Sequence, residues 1–195
     1  MSIRIGTLAP AIQTDAYIPG EPDPRPIALA DYRGDWVVLL FYPRDFTFVC
    51  PTELQALARL QDAFAGEGAV VLAASTDSYH SHKAWFETDA RLATAAYPVL
   101  ADTSHRLSAA FGVLLADGRA LRGTFILDPA GIVRHVQVND IDVGRNIDET
   151  LRLLHALQSG GLCPVSWQPG QPTLNAAIDS EASAALLVET DKRAA

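Results

Sequence analysis

Two cysteines stand in this chain of 195 residues, Cys50 and Cys163, and their surroundings differ in kind. Cys50 lies in FYPRDFTFVCPTEL, residues 41–54, where a strand stopped by Pro43 turns over a loop into a helix. Pro51 suits the first position of that helix, because its missing N–H leaves nothing unsatisfied there. Cys50 is thereby set at or near a helix N-terminus, where unpaired N–H groups and the positive end of the dipole favour a thiolate over a thiol. Thr47, three residues back in the loop, brings a hydroxyl that can return toward the sulfur or toward an oxygen bound to it. A thiolate surrounded by donors suits attack on an electrophilic oxygen, provided that the leaving oxygen is met by hydrogen bonds. Pro43 can screen the sulfur from bulk water. The remaining requirement is a fixed cation.

Cys163 stands in GGLCPVSWQPG, residues 160–170, a Pro/Gly-rich arm unsuited to a core. A mobile, accessible thiol there suits capture of a sulfenic acid, which condenses with a second thiol to a disulfide. Position alone leaves that reading and an incidental exposed cysteine in balance.

The elements that must place these residues follow from patterning. Residues 36–42 are apolar throughout, as expected of a strand covered on both faces. A helix over 51–65 carries Leu54, Leu57, Ala58, Leu60 and Phe64 near one face and stops at Gly66 and Gly68. Residues 69–74 read as a second buried strand, 81–88 and 104–111 as helices, and 124–127 with 132–138 as a hairpin about the turn DPAG. Residues 146–157 form an amphipathic helix, and 20–26 (GEPDPRP) a surface loop. The order implies an α/β, thioredoxin-like layout, a mixed central sheet with helices on both faces. The thioredoxin-like domain spans 1–160. A C-terminal arm and tail span 161–195, the stretch 176–195 being a loose helix or a frayed tail.

Composition excludes several classes. Lys and Arg total 15 against 23 Asp and Glu, a net charge of −8 that speaks against a nucleic-acid partner. No apolar run is long enough to cross a bilayer, no secretory leader opens the chain, and the expected address is the cytoplasm. The five histidines (His80, His82, His105, His135, His155) fall in no metal-ligand spacing and read as surface or helix-face residues. No phosphate-binding glycine motif occurs, so nucleotide binding is unsupported, and the chemistry set out for Cys50 calls for no cofactor.

The segment FYP…DFTFVCPTE closely resembles the active-site signature of the peroxiredoxins: Pro43, then Thr47, then Cys50. The resemblance implies that Cys50 is the peroxidatic cysteine, Thr47 its hydroxyl partner and Pro43 its shield. Glu53 matches the acidic residue that helps hold the family's active-site arginine. RGTFILD at 122–128 resembles the strand that follows that arginine, which makes Arg122 the missing cation. From a strand start its guanidinium would favour the thiolate and hold a peroxide oxygen. Arg44 and Arg145 stay ambiguous, Arg44 being read as solvated.

Cys163, Pro164, Trp167 and Gly170 resemble the resolving-cysteine segment of the typical two-cysteine peroxiredoxins, the group of alkyl hydroperoxide reductase C subunits and thioredoxin peroxidases. Residues 138–145 resemble that group too, and the likeness spans about 3–175. It implies a Cys50–Cys163 disulfide between subunits, hence a homodimer, with a decameric ring of five dimers possible. It also implies a peroxide substrate and recycling by thioredoxin or a flavoprotein. The approach LQSGGLCP is shorter than in many relatives. Neither a Gly-Gly-Leu-Gly insert between Trp85 and Pro98 nor a Tyr-Phe pair in the tail is present, which implies resistance to over-oxidation. The rival reading is a redox sensor or holdase using the same disulfide as a switch. A disulfide-exchange protein is disfavoured, because no CxxC is present.

Overall fold

The computed structural model describes residues 3–174, so the tail at 176–195 lies outside the described residues. In chain order the elements are β1 (Gln13–Tyr17), β2 (Arg25–Ala28), β3 (Trp36–Phe41), α1 (Cys50–Gly66), β4 (Ala69–Ser75), α2 (Tyr79–Thr88), β5 (Val99–Ala101), α3 (Arg106–Ala110), β6 (Arg122–Leu127), β7 (Val133–Asn139) and α4 (Ile147–Gln158). The chain divides into two units, Met1–Ile147, which holds the sheet, and Asp148–Ala195, which holds most of α4 and the arm around Cys163.

The strands form one mixed sheet in the order β2-β1-β5-β4-β3-β6-β7. Strand β3 pairs in parallel with β4 and antiparallel with β6, and its last five residues are buried. Alternation along the pleat sends Val37, Leu39 and Phe41 into one apolar cluster with Leu72, Phe111 and Phe125. Val38 and Leu40 face the other way, and there α1 packs against β4 with Leu54, Leu57 and Phe64 inward. This is the thioredoxin-like α/β fold. Parallel pairing of β3 with β4 requires a crossover, and α1 supplies it. The start of that helix therefore lies just past the end of a central strand.

Three strands escape the periodicity argument. Strand β5 has only three residues. Strand β1 (QTDAY) interleaves polar residues with its buried Ala16 and Tyr17. Strand β2 runs through Pro26, within the stretch expected to be a loop. A proline is tolerated there because β2 is the outermost strand, and its missing N–H costs no ladder bond on the open side.

Candidate active site

Cys50 is the first residue of α1 and is 1% exposed. The N-cap is Val49, whose side chain cannot accept from the first N–H groups, and Pro51 follows within the first turn. The positive end of the helix is thus left uncapped beside the sulfur, where it favours an anion. Thr52 and Glu53 donate their backbone N–H groups to the Val49 carbonyl at 3.0 and 3.4 Å, and the Thr52 hydroxyl donates to the same oxygen at 2.6 Å.

Arg122, the first residue of β6, reaches across to this turn. Its Nη1 donates to Cys50 Sγ at 3.4 Å and to Glu53 Oε2 at 2.6 Å, while Nε donates to the Ile141 carbonyl at 2.7 Å. A second buried arginine grips the same carboxylate. Arg145 donates to Glu53 Oε1 from Nε at 2.8 Å and from its backbone N–H at 2.8 Å, and to Oε2 from Nη2 at 3.0 Å. Its Nη1 is spent on the Gly123 carbonyl at 2.8 Å. Burial pushes the Glu53 carboxyl up, but the hydrogen bonds and charge of Arg145, then the charge of Arg122, outweigh it and hold the group below the ordinary carboxylate range. One carboxylate between two guanidiniums leaves a net positive charge, and the Cys50 sulfur is the atom placed to receive it.

The loop before Cys50 is pinned at its near end. Tyr42 donates its hydroxyl to Asp45 Oδ1 at 2.7 Å, and His82 Nδ1 lies 2.8 Å from Asp45 Oδ2, both side chains being buried. Burial first, then the Asp45 charge, pushes the Tyr42 hydroxyl far above its ordinary value, so it stays a neutral donor. Asp45 also donates its N–H to Asp77 Oδ2 at 3.0 Å. Beyond this anchor Phe46 takes a left-handed backbone (φ 53°) and lays its ring on Trp85, 5.8 Å between centroids. Such a conformation in a non-glycine residue is held only by its surroundings.

Pro43, Thr47, Cys50 and Arg122 line one open cavity of about 660 Å³, with Arg44 and Arg119 on its wall. Thr47 donates its hydroxyl to the Arg44 carbonyl at 2.9 Å, which leaves the oxygen lone pairs free to accept. Arg119 is engaged by Asp117 through Nε and Nη2, at 2.8 and 2.6 Å. Arg44 is exposed.

Cys163, in the second unit, is half-buried, and like the buried Cys50 of the first unit it is a free thiol. Its sulfur lies 3.7 Å from the Ala156 carbonyl and 3.4 Å from Ser159 Oγ, both at the end of α4. Hydrogen bonds fasten the arm: Leu174 donates to the Leu162 carbonyl, and Trp167 is 5% exposed with its indole N–H on the Gln171 carbonyl.

A search against protein-family models matches residues 5–136 to the one described as the AhpC/TSA family. The chain belongs to this family. Among its relatives, the thioredoxin peroxidase of Echinococcus granulosus is 45% identical over 181 residues, covering 89% of this chain and 93% of that protein. The peroxiredoxin prdx-2 of Caenorhabditis elegans is 46% identical over 182 residues, 89% of this chain and 90% of that one. The crystal structure of reduced 2-Cys peroxiredoxin from Plasmodium vivax superposes with a TM-score of 0.83 at 35% identity, covering 87% of this chain and 91% of that one. This peroxiredoxin is accordingly a peroxidase.

Within the AhpC/TSA chain, the residues singled out by motif, Pro43, Thr47, Cys50, Glu53 and Arg122, converge on one turn of helix and one strand start. Arg145 also belongs there, although its sequence surroundings left it ambiguous. The acid at position 53 was the available clue, since a carboxylate that is 2% exposed needs more than a shared cation. His82, read as a surface or helix-face residue, lies on the inward face of α2. It is wholly buried and contributes to the loop anchor.

The ion cluster makes stability sensitive to acid. A carboxyl held below its ordinary value stabilises the fold above the unfolded-state value, about 4.3, and loses that contribution as pH falls toward the folded one. Urea midpoints of this peroxiredoxin should therefore fall as pH drops below about 4.3. Glu53→Gln should flatten that limb while costing about 3–5 kcal/mol at neutral pH, since two buried guanidiniums lose their counter-charge. An unaltered acid limb in the variant would remove Glu53 from this role.

Proposed function

We propose that this peroxiredoxin reduces hydrogen peroxide and small organic hydroperoxides with Cys50, resolves the product through an intersubunit Cys50–Cys163 disulfide, and is recycled by a thioredoxin-type dithiol protein. The observation that carries this reading is Arg122 Nη1 at 3.4 Å from Cys50 Sγ, at an uncapped helix start that opens on a cavity. The Cys50 thiolate attacks the terminal peroxide oxygen. A sulfur–oxygen bond forms, the oxygen–oxygen bond breaks, and the leaving hydroxide or alkoxide takes up a proton. Arg122 donates toward the developing charge, Thr47 accepts from the peroxide O–H, and Pro43 limits water. Glu53 keeps Arg122 aimed at the sulfur.

The sulfenic acid on Cys50 then condenses with the Cys163 thiol of a second subunit, forming the disulfide and releasing water. A dimer is the smallest assembly that can do this, and rings of five dimers are compatible with it. An external dithiol restores both thiols and leaves as its own disulfide. The name of the Echinococcus relative, thioredoxin peroxidase, supports a thioredoxin-type donor. The cytoplasm is the compartment that keeps such thiols reduced. The sequence lacks the insert and tail pair of sensitive relatives, which supports resistance to over-oxidation.

Cys163→Ser tests the second half of this cycle. With one equivalent of peroxide the wild type should migrate as a disulfide-linked dimer on a non-reducing gel. The variant should stay monomeric, consume one equivalent per chain and then stop in the presence of thioredoxin. Intact mass should show sulfinic Cys50 as a minor wild-type product. Oxidised wild type migrating as a monomer would exclude the intersubunit bridge. Consumption limited to one equivalent in wild type would turn the assignment toward a sensor.

A further inference from the structure

Arg152 lies outside the peroxide site and is held with unusual care for a helix residue. Its Nε and Nη2 fork onto the Glu149 carboxylate at 2.6 and 2.7 Å, one helical turn back on α4. This fixes the third guanidinium nitrogen, and Nη1 donates to the Trp167 carbonyl at 2.8 Å. Trp167 closes the turn that begins at Pro164, the residue after Cys163, with its N–H on the Pro164 carbonyl at 3.2 Å and Ser166 in a left-handed conformation (φ 57°). At the other end of that turn the Cys163 sulfur lies on the Ala156 carbonyl, with Ser159 Oγ alongside. Arg152 and Ala156 are four residues apart and share one helix face. The segment 163–167 is thus a strap laid along α4, fastened by the sulfur at one end and by Arg152 at the other. Its hydrogen bonds to Glu149, opposed by burial and helped by the charge of the same carboxylate, hold the Arg152 guanidinium above its ordinary value.

We propose that Arg152 is a positioning residue for Cys163, clamping the 163–167 strap to α4 so that the sulfur is presented to the oxidised Cys50 in one orientation. The inference rests on the reading of Cys163 as the resolving thiol. The step it assists is the condensation already written: the Cys163 sulfur bonds to the Cys50 sulfur, the S–OH bond breaks, and the thiol proton leaves with the hydroxyl as water. Resolution is an approach of two sulfurs along a line, so loss of orientation slows it without touching the first oxidation. A lysine could reach the Trp167 carbonyl but cannot hold Glu149 with a planar fork at the same time.

The test is rapid-mixing with peroxide, quenching by a thiol-alkylating reagent and intact-mass analysis of each species. In Arg152→Met, sulfenic acid should form within about two-fold of the wild-type rate, while disulfide formation slows roughly ten-fold or more. The sulfinic fraction per peroxide equivalent should rise by a similar factor. Arg152→Lys should slow the disulfide step roughly three-fold. A disulfide step in Arg152→Met as fast as in wild type overturns the proposal. Should Arg152→Met fail to fold, Arg152→Lys decides: no slowing overturns the clamp, and a slowed second step with an intact first supports it. Parallel slowing of both steps in a folded variant also overturns it, since a general structural loss would do that. Cys163→Ser is run alongside. Turnover by that variant would sink the assignment of Cys163 itself, whereas unaffected Arg152 variants beside an arrested Cys163→Ser would sink only the clamp.

Discussion

Peroxide consumption by Cys50→Ser is expected to fall to the rate of buffer alone, a loss on the order of 10⁴-fold or more. The magnitude follows from the nucleophile. Neither the helix start nor Arg122 can bring a serine hydroxyl to an alkoxide at neutral pH, and oxygen is a poor attacker of peroxide oxygen besides. The replacement is nearly isosteric in a site that is 1% exposed, so the fold should persist. A peroxide electrode or a coupled thioredoxin assay measures the result, with circular dichroism reporting the fold. Activity retained in Cys50→Ser would transfer the chemistry to another residue.

The second large effect is expected from Arg122→Met, a fall in kcat/KM of about 10²–10³-fold. Three contacts disappear together: to the Cys50 sulfur, to Glu53 and to the Ile141 carbonyl. The Glu53 carboxylate remains, still held by Arg145, so the turn keeps its shape while a negative charge near the sulfur loses one of its two partners. The net positive charge beside the sulfur thus falls to zero, one guanidinium now balancing one carboxylate. Stopped-flow oxidation over a range of peroxide concentrations measures it. An oxidation rate within a few-fold of wild type would show that the guanidinium serves structure alone.

These two residues were legible in the sequence, and the reason is local. Cys50 and Thr47 sit in one continuous loop-to-helix segment, and Arg122 opens a strand with its own strong pattern. Strands β3, β4, β6 and β7 and helix α1 were legible for the same cause, since each is long enough to display a period. What escaped is what depends on distant partners. Arg145 stands in an irregular turn and meets Glu53 across 92 positions of chain. His82 looks like any polar residue of a helix until the fold brings Asp45 against it from 37 positions away. Strands β1, β2 and β5 are short, and β2 is an edge, so their pairing is decided by neighbours and not by their own residues. The Cys163 arm shows a further limit. Its glycines and prolines suggest freedom, yet the hydrogen bonds of Trp167, Arg152 and Leu174 fasten it.

The double grip on Glu53 divides α1 into two parts with different energetic character. Ahead of Glu53, the turn that carries the sulfur is held at Val49 by two backbone N–H groups and the Thr52 hydroxyl, each bond worth about 1 kcal/mol net, and at the sulfur by Arg122. From Glu53 onward, any opening would strip two buried guanidiniums of their partner, a cost of several kcal/mol. Opening of the first turn therefore costs less than unwinding from Glu53 onward. Excursion and scaffold are separated at a single carboxylate, and the same side chain that aims the cation also sets how far the helix can unravel.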